Sequence, residues 1–193
     1  MYVVIKRFLD LLFASILLVL AVPIGLLIAA GLLLEGHGPV FFTQTRAGRH
    51  GAPFRILKFR TMIPGVHDIT NPLAHTTRYG RFLRRWGLDE LPQLVNVLAG
   101  QMSLIGPRPT LPEQVARYDE EQRRRLDVPP GITGWAQVHG RNALPWAQRI
   151  ELDIAYINHL SFALDVRIAF RTVGILINGT GLYGSDNKNP DFA

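Results

Sequence analysis

The chain contains no cysteine. That excludes a disulfide framework, thiol chemistry and thiolate-ligated zinc. It suits a reducing compartment. The six histidines show no metal-ligand spacing and read as surface or local hydrogen-bonding residues. Charge is missing from one long stretch, since no residue from Leu11 to Leu34 carries any. The rest of the chain is ordinarily polar, so the positive mean hydropathy of +0.14 is concentrated there. No internal repeat and no inter-domain linker is visible. A length of 193 residues suits one compact domain and little more.

What is present is a basic balance, with a formal net charge of +6. Such a balance serves nucleic acid, an anionic membrane surface or phosphorylated ligands. A soluble nucleic-acid binder has no use for the Leu11–Leu34 run, so membrane and phosphate are favoured and nucleic acid is not expected as a partner. A bilayer core needs about 20 apolar helical residues to span, and this run is long enough. Pro23 sits in its middle with Gly25 close behind, and proline bends or breaks a helix. Both flanks are basic: Lys6 and Arg7 before, then Arg46, Arg49, Arg55, Lys58 and Arg60 after. Positive charge marks the cytoplasmic side. A helix–break–helix that enters one leaflet and returns satisfies both flanks, whereas a kinked single span satisfies one. The residues alone leave these two open. A secretory signal peptide is a third reading, although the run exceeds the usual apolar length of ~7–15 residues.

Two β-prone runs, Pro39–Thr45 and Pro53–Thr61, flank a turn-like segment and predict a hairpin. Helical spacing covers Thr77–Trp86, Asp89–Leu98, a charged Pro112–Asp127, Pro145–Asn158 and Phe162–Asn178. Trp146, Ile150, Ile154 and Ile157 form one stripe of the fourth. Ile63–His75 and the glycine-rich Gly131–Asn142 read as loops. The last helix is apolar but carries Arg167 and Arg171. It either lies in a membrane surface with its arginines at the headgroups, or packs in a core with two solvated arginines.

Three places could carry chemistry. Asp89–Glu90 follows a basic stretch, Arg78, Arg81, Arg84 and Arg85. Adjacent acids are common at helix starts, where they suit the helix dipole. A carboxylate can also be a nucleophile toward phosphorus. Near an anionic diphosphate it needs cations, and arginines with a bound Mg²⁺ would supply them. The second place is Gly106-Pro107-Arg108-Pro109, where Pro107 and Pro109 fix the backbone around one arginine. It reads equally as a held bidentate phosphate donor or as a surface turn. The third is Gly131–Asn142, where glycines allow close backbone approach to a ligand. Arg141 there offers a phosphate contact and Trp135 an aromatic wall. Glycine-rich loops also occur without ligands.

Short motifs run along the chain in order: Lys6-Arg7-Phe8 with Asp10, the Pro23 break, Gly38-Pro39-Val40-Phe41-Phe42, and Lys58-Phe59-Arg60-Thr61-Met62. Leu88-Asp89-Glu90-Leu91-Pro92-Gln93, Asn96-Val97-Leu98, Met102-Ser103-Leu104-Ile105-Gly106-Pro107-Arg108-Pro109 and Pro130-Gly131-Ile132-Thr133-Gly134-Trp135-Ala136-Gln137 follow. Taken together, they resemble the monotopic phosphoglycosyl transferases, also called bacterial sugar transferases. The similarity runs to about Phe170.

The resemblance implies a UDP-sugar donor and a polyprenyl phosphate acceptor, typically undecaprenyl phosphate. The products implied are UMP and a polyprenyl diphosphate sugar. It implies that Asp89 is the nucleophile, forms a covalent phosphosugar intermediate and shares a required Mg²⁺, and that Glu90 completes the dyad. Lys58, Arg60, Arg84, Pro107, Arg108, Pro109, Gln137 and Arg141 are the implied substrate-binding residues. The helix of residues 8–34 is expected to be re-entrant at Pro23. Val22 stands where the family often has serine, which removes a hydroxyl near the bend.

The expected fold class is therefore α+β, mostly helical, with a re-entrant helix–break–helix, a short β-hairpin and interfacial amphipathic helices. The expected organisation is a membrane-inserted helix pair over residues 1–36, a cytoplasmic catalytic domain over 37–178 on the membrane surface, and a polar tail over 179–193. The expected location is the bacterial inner membrane, monotopic, in contact with lipid. The sugar, the glycan and any oligomer stay open. The competing readings are a catalytically idle membrane-anchored scaffold and a basic nucleic-acid-binding module.

Overall fold

The computed structural model describes residues 2–64, 75–140 and 143–178. The chain opens with one helix, α1 (Tyr2–Glu35), of 34 residues, which at 1.5 Å per residue is about 50 Å long. A hairpin follows, β1 (Phe41–Ala47) against β2 (Pro53–Phe59), antiparallel with Phe41 opposite Phe59 and Ala47 opposite Pro53. Then come α2 (Arg78–Arg85), a 3-10 turn over Leu88–Glu90, α3 (Gln93–Leu98) and β3 (Ser103–Ile105). Next are α4 (Pro112–Val115), α5 (Glu120–Arg123), a 3-10 turn over Arg124–Leu126, β4 (Gly131–Thr133), α6 (Trp146–Asn158) and α7 (Phe162–Asn178). The described chain is mostly helical with a small antiparallel hairpin, as expected from the sequence.

Three local expectations need correction. The helix is not interrupted at Pro23, because helical structure runs through it from Tyr2 to Glu35. A proline removes its own amide from the helical ladder and crowds the carbonyl four residues back, a local cost that a long helix can carry. In an apolar stretch the neighbouring backbone groups have no better partners than one another. Pro112–Asp127 is not one helix. Asp119 accepts from the Gln122 amide and starts α5 afresh after α4 has ended. Gly131–Thr133, expected as loop, is a strand pairing in parallel with β3. A side chain at Gly131 would put its Cβ 2.1 Å from the Gly106 amide nitrogen, so only glycine permits that approach. The 179–193 tail lies outside the described residues.

Among the described residues, one stripe of α1 is buried against protein. Lys6, Asp10, Ala14, Ala21, Ile28 and Leu32 are buried, at intervals that keep them on one helix face. Ala14 and Ala21 pack with Phe54 and Ile56 of β2, Leu94 and Val97 of α3, and Met102. Ile28 and Leu32 pack with Phe59 and Leu83. The rest of α1 presents Phe8, Phe13, Val19, Leu20, Leu26, Leu27 and Leu34 outward. A helix apolar all round, with one stripe covered, has the surface of a lipid-facing element.

Both ends of α1 are tied to the same globular body. At its start Lys6 Nζ donates to Asp165 Oδ2 of α7 at 2.8 Å, and Tyr2 and Tyr156 donate their hydroxyls to the same carboxylate. Asp10 Oδ1 accepts the Leu104 amide, and Arg7 donates to the carbonyls of Val97 and Leu98 at the end of α3. At its finish Arg60 Nη2 donates to the Leu32 carbonyl at 2.9 Å, and Gly31 lies against the ring of Tyr79. α7 turns Phe162, Phe170, Val173 and Ile177 outward, positions that fall on one helical face.

Candidate active site

Gly87 sets the turn that carries Asp89 and Glu90. Its φ of 65° lies in the left-handed region, where a side chain is strained. It turns the chain out of α2 into the tight Leu88–Glu90 turn, and Pro92 then starts α3. Asn96 of α3 fastens this unit to β2: its Oδ1 accepts the Leu57 amide at 3.0 Å, and its Nδ2 donates to the Arg55 carbonyl at 2.9 Å. Along β2, Phe54, Ile56 and Lys58 alternate onto one face. The first two enter the core and the third reaches Glu90.

Lys58 Nζ lies 2.7 Å from Glu90 Oε1, and Arg108 Nη2 lies 3.1 Å from the same oxygen. Burial works against the Glu90 charge, but Lys58 and Arg108 outweigh it and hold the carboxyl down at about 2. Asp89 is buried, and no hydrogen bond among the described residues reaches its carboxylate. Burial and the neighbouring Glu90 push its pKa up, against the pull of Lys58, Arg84 and Arg108. Burial in turn pushes the Lys58 ammonium down, with Arg108 adding to it and Glu90 opposing. Two adjacent carboxyls are thus driven apart by their surroundings, a pattern typical of functional sites.

The structure brings Asp89, Glu90, Lys58 and Arg108 together. Pro107 and Pro109, both buried, bracket Arg108. Arg84 stands electrostatically beside Asp89, while its guanidinium donates to Thr61 and Thr76 hydroxyls. Arg60 is committed elsewhere: buried, it donates to the carbonyls of Leu32 and Pro39 and lies 3.9 Å from Glu35, at the end of α1. Gln137 is buried beside Gly134, its amide without a hydrogen-bond partner among the described residues. Arg141 lies outside the described residues.

Two arginines escaped the sequence reading of the site. Arg46 of β1 appeared there only as a flanking charge. Burial and the nearby Arg108 lower its pKa to about 10, and it donates to the Pro109 carbonyl at 3.4 Å. Arg125 was hidden in a run of three arginines on a segment that read as a charged helix. No sequence signal separates it from Arg123 and Arg124.

Among the described residues no group of three or more His, Asp or Glu converges as a metal cage. One buried carboxylate without a hydrogen bond, that of Asp89, fits the other mode, in which Mg²⁺ is shared between one or two carboxylates and substrate phosphates.

One engaged and one free carboxylate thus stand inside a set of cations. The chain belongs to the bacterial sugar transferase family, whose pattern matches residues 1–179. It is 44% identical over 182 residues to EpsL, an uncharacterized sugar transferase of Bacillus subtilis, covering 93% of this chain and 90% of that one. It is 42% identical to the UDP-glucose:undecaprenyl-phosphate glucose-1-phosphate transferase of Caulobacter vibrioides, over 92% of this chain and 72% of the relative. It is also 42% identical to the UDP-N-acetylgalactosamine-undecaprenyl-phosphate N-acetylgalactosaminephosphotransferase of Aeromonas hydrophila, over 93% of this chain but 45% of that relative. The last two share an acceptor in their names and differ in sugar.

Proposed function

We propose that the protein transfers a sugar 1-phosphate from a UDP-sugar to a polyprenyl phosphate, undecaprenyl phosphate above all, at the cytoplasmic face of a bacterial inner membrane. The products are a polyprenyl diphosphate sugar and UMP, the first membrane step of a glycan pathway. Family membership and the names of the relatives support the reaction class. One observation carries the residue roles: Glu90 is neutralised by Lys58 and Arg108, while its neighbour Asp89 has no hydrogen bond among the described residues.

An oxygen of Asp89 attacks the β-phosphorus of the donor. The bond from that phosphorus to the oxygen bridging the two phosphates breaks, and UMP leaves with that oxygen. An oxygen of the polyprenyl phosphate then attacks the same phosphorus and displaces the carboxylate. Lys58 and Arg108, held in place by Glu90, face the phosphoryl oxygens and offset their charge. Glu90, kept ionised, positions these cations. Asp89 and the donor diphosphate would hold Mg²⁺, which when bound adds further charge stabilisation. A two-step route lets one substrate leave water and the other stay in lipid without both large groups being present at once.

The attachment of α1 supports a monotopic insertion, with both ends of the helix held on one side. Its first turn and its last turn both contact the same body, through Asp165 and Arg60 respectively. A span with one end across the bilayer would have to give up one of these contacts. In lipid, apolar surface gains little by moving onto protein, so close packing and polar ties must hold such a helix. Ala14, Ala21 and Gly31 supply the first, and Lys6, Asp10 and the Leu32 carbonyl the second. The outward face of α7, with Phe162, Phe170 and Ile177, suits the headgroup boundary.

The test is UMP release from a panel of UDP-sugars with lipid acceptor and Mg²⁺. One donor is expected to support turnover in the parent protein and none in Asp89→Asn. Equal turnover by Asp89→Asn would end this reading.

A further inference from the structure

The Pro107-Arg108-Pro109-Thr110 segment is held by its carbonyls. Two of its residues are prolines and have no amide hydrogen to donate. Four consecutive carbonyl oxygens instead accept from four separate donors. Pro107 O accepts from the Gly131 amide at 2.8 Å, and Thr110 O from the Ala47 amide at 2.9 Å. Pro109 O accepts from Arg46 Nη1 at 3.4 Å. Arg108 O accepts from Arg125 Nη2 at 3.0 Å.

The Arg125 contact differs from the others in what stands behind it. The guanidinium is buried, and its other nitrogens are engaged too: Nε donates to Asp153 Oδ2 at 2.6 Å and Nη1 to the Tyr118 hydroxyl at 2.8 Å. The Tyr118 hydroxyl donates onward to Thr110 Oγ1 at 3.2 Å. The Trp146 ring lies under the guanidinium, 5.2 Å from centroid to carbon. Asp153 on α6 is 1% exposed. A buried ion pair of this kind is weak evidence for stability, since apolar residues of similar volume often do as well. It does fix direction. A planar fork with two donors anchored has its third donor fixed as well.

We propose that Arg125, oriented by Asp153 and Tyr118, is a positioning residue for Arg108. It pins the backbone of Arg108 so that the half-exposed side chain begins from one direction and meets Glu90. The proposal rests on the reading of Arg108 as a cation of the phosphate site. Lysine at 125 keeps a charge beside Asp153 but cannot serve Tyr118 and the Arg108 carbonyl in the same fork.

The test is a double-mutant cycle on the full chain in detergent or nanodiscs, with UMP release as readout and thermal unfolding followed in parallel. Arg125→Lys in the parent is expected to lower kcat at least tenfold with a smaller change in donor KM. In an Arg108→Ala background it is expected to change the residual turnover less than twofold, because its route to the site is gone. The same fold-loss in both backgrounds would show that Arg125 acts through general packing, and would overturn the proposal while leaving the Arg108 reading intact. Parental activity in Arg108→Ala would overturn both. If Arg125→Lys does not fold, the paired replacement Arg125→Met with Asp153→Leu removes the buried charges together. It is expected to fold and to lose at least tenfold in kcat. Full activity in that variant would equally sink the proposal.

Discussion

The Lys58 ammonium lies 2.7 Å from Oε1 of Glu90, on the inward face of a strand whose preceding inward residues are Phe54 and Ile56. A cation placed there needs an anion, and an anion there needs a cation. Glu90 is therefore held ionised, to about 2 from an ordinary 4.5. Asp89 has no such hydrogen-bonded partner among the described residues, and burial beside Glu90 raises it above its ordinary 3.8 against the pull of Lys58, Arg84 and Arg108. The consequences for stability have opposite signs. The Glu90 charge stabilises the fold above pH 4.5, a contribution lost as pH falls toward about 2. The Asp89 charge costs stability once pH rises from 3.8 through its raised folded value.

In metal-free buffer near neutral pH, Asp89→Asn is therefore expected to raise the unfolding temperature by a few degrees although activity is lost. Glu90→Gln is expected to lower it, because Lys58 and Arg108 are left with a weaker partner. Thermal unfolding of the two variants beside the parent checks this. Shifts of the same sign would contradict the division of roles between the two carboxyls.

Arg108→Lys keeps the charge and gives up the planar fork. Turnover is expected to fall at least tenfold, about 1.4 kcal/mol of transition-state stabilisation. Steady-state UMP release measures it. A parental rate would show that charge alone suffices at this position.

Arg60 was expected at the phosphate site and instead closes the end of α1. Two hydrogen bonds from this buried cation reach the carbonyls of Leu32 and Pro39, and bonds from charged groups are worth about 1.5–3 kcal/mol each. Arg60→Lys is expected to cost about 2 kcal/mol of stability while leaving the donor KM of the folded fraction unchanged. A raised KM with an unchanged unfolding temperature would return Arg60 to the substrate.

Because the chain has no cysteine of its own, single cysteines report topology cleanly. Val3→Cys and His37→Cys are both expected to resist an impermeant thiol reagent in intact cells and to react after permeabilisation. Labelling of either from outside would mean a full span. Pro23→Leu, which restores the missing amide, is the variant expected to shift the population toward such a span.

Much of this was legible in the sequence, for physical reasons that differ by residue. The α1 run announces itself by the absence of charge, and the hairpin by β-prone runs around a turn. Asp89, Glu90 and Arg108 stand in short motifs where local chemistry is visible. Lys58 was reached through the family resemblance, and its partner was not legible, since contact with Glu90 needs the strand alternation and the Gly87 turn together. Arg60 could not be separated from a substrate-binding arginine, because the carbonyls it serves are 21 and 28 residues away along the chain. The β4 strand was hidden because Gly131 and its prolines mark loops locally, whereas here they permit the close approach to Gly106. Arg125 is indistinguishable in sequence from its two neighbouring arginines until Asp153, 28 residues on, is folded against it.

The most direct test of the central claim is the intact-protein mass after brief exposure to the productive UDP-sugar and Mg²⁺ with no lipid acceptor. The account predicts UMP release of about one equivalent per protein and a mass gain equal to one phosphosugar, mapped by fragmentation to Asp89 and absent in Asp89→Asn. An unmodified mass, with UMP appearing only after polyprenyl phosphate is added, would contradict it and leave Asp89 as a metal ligand in a direct transfer.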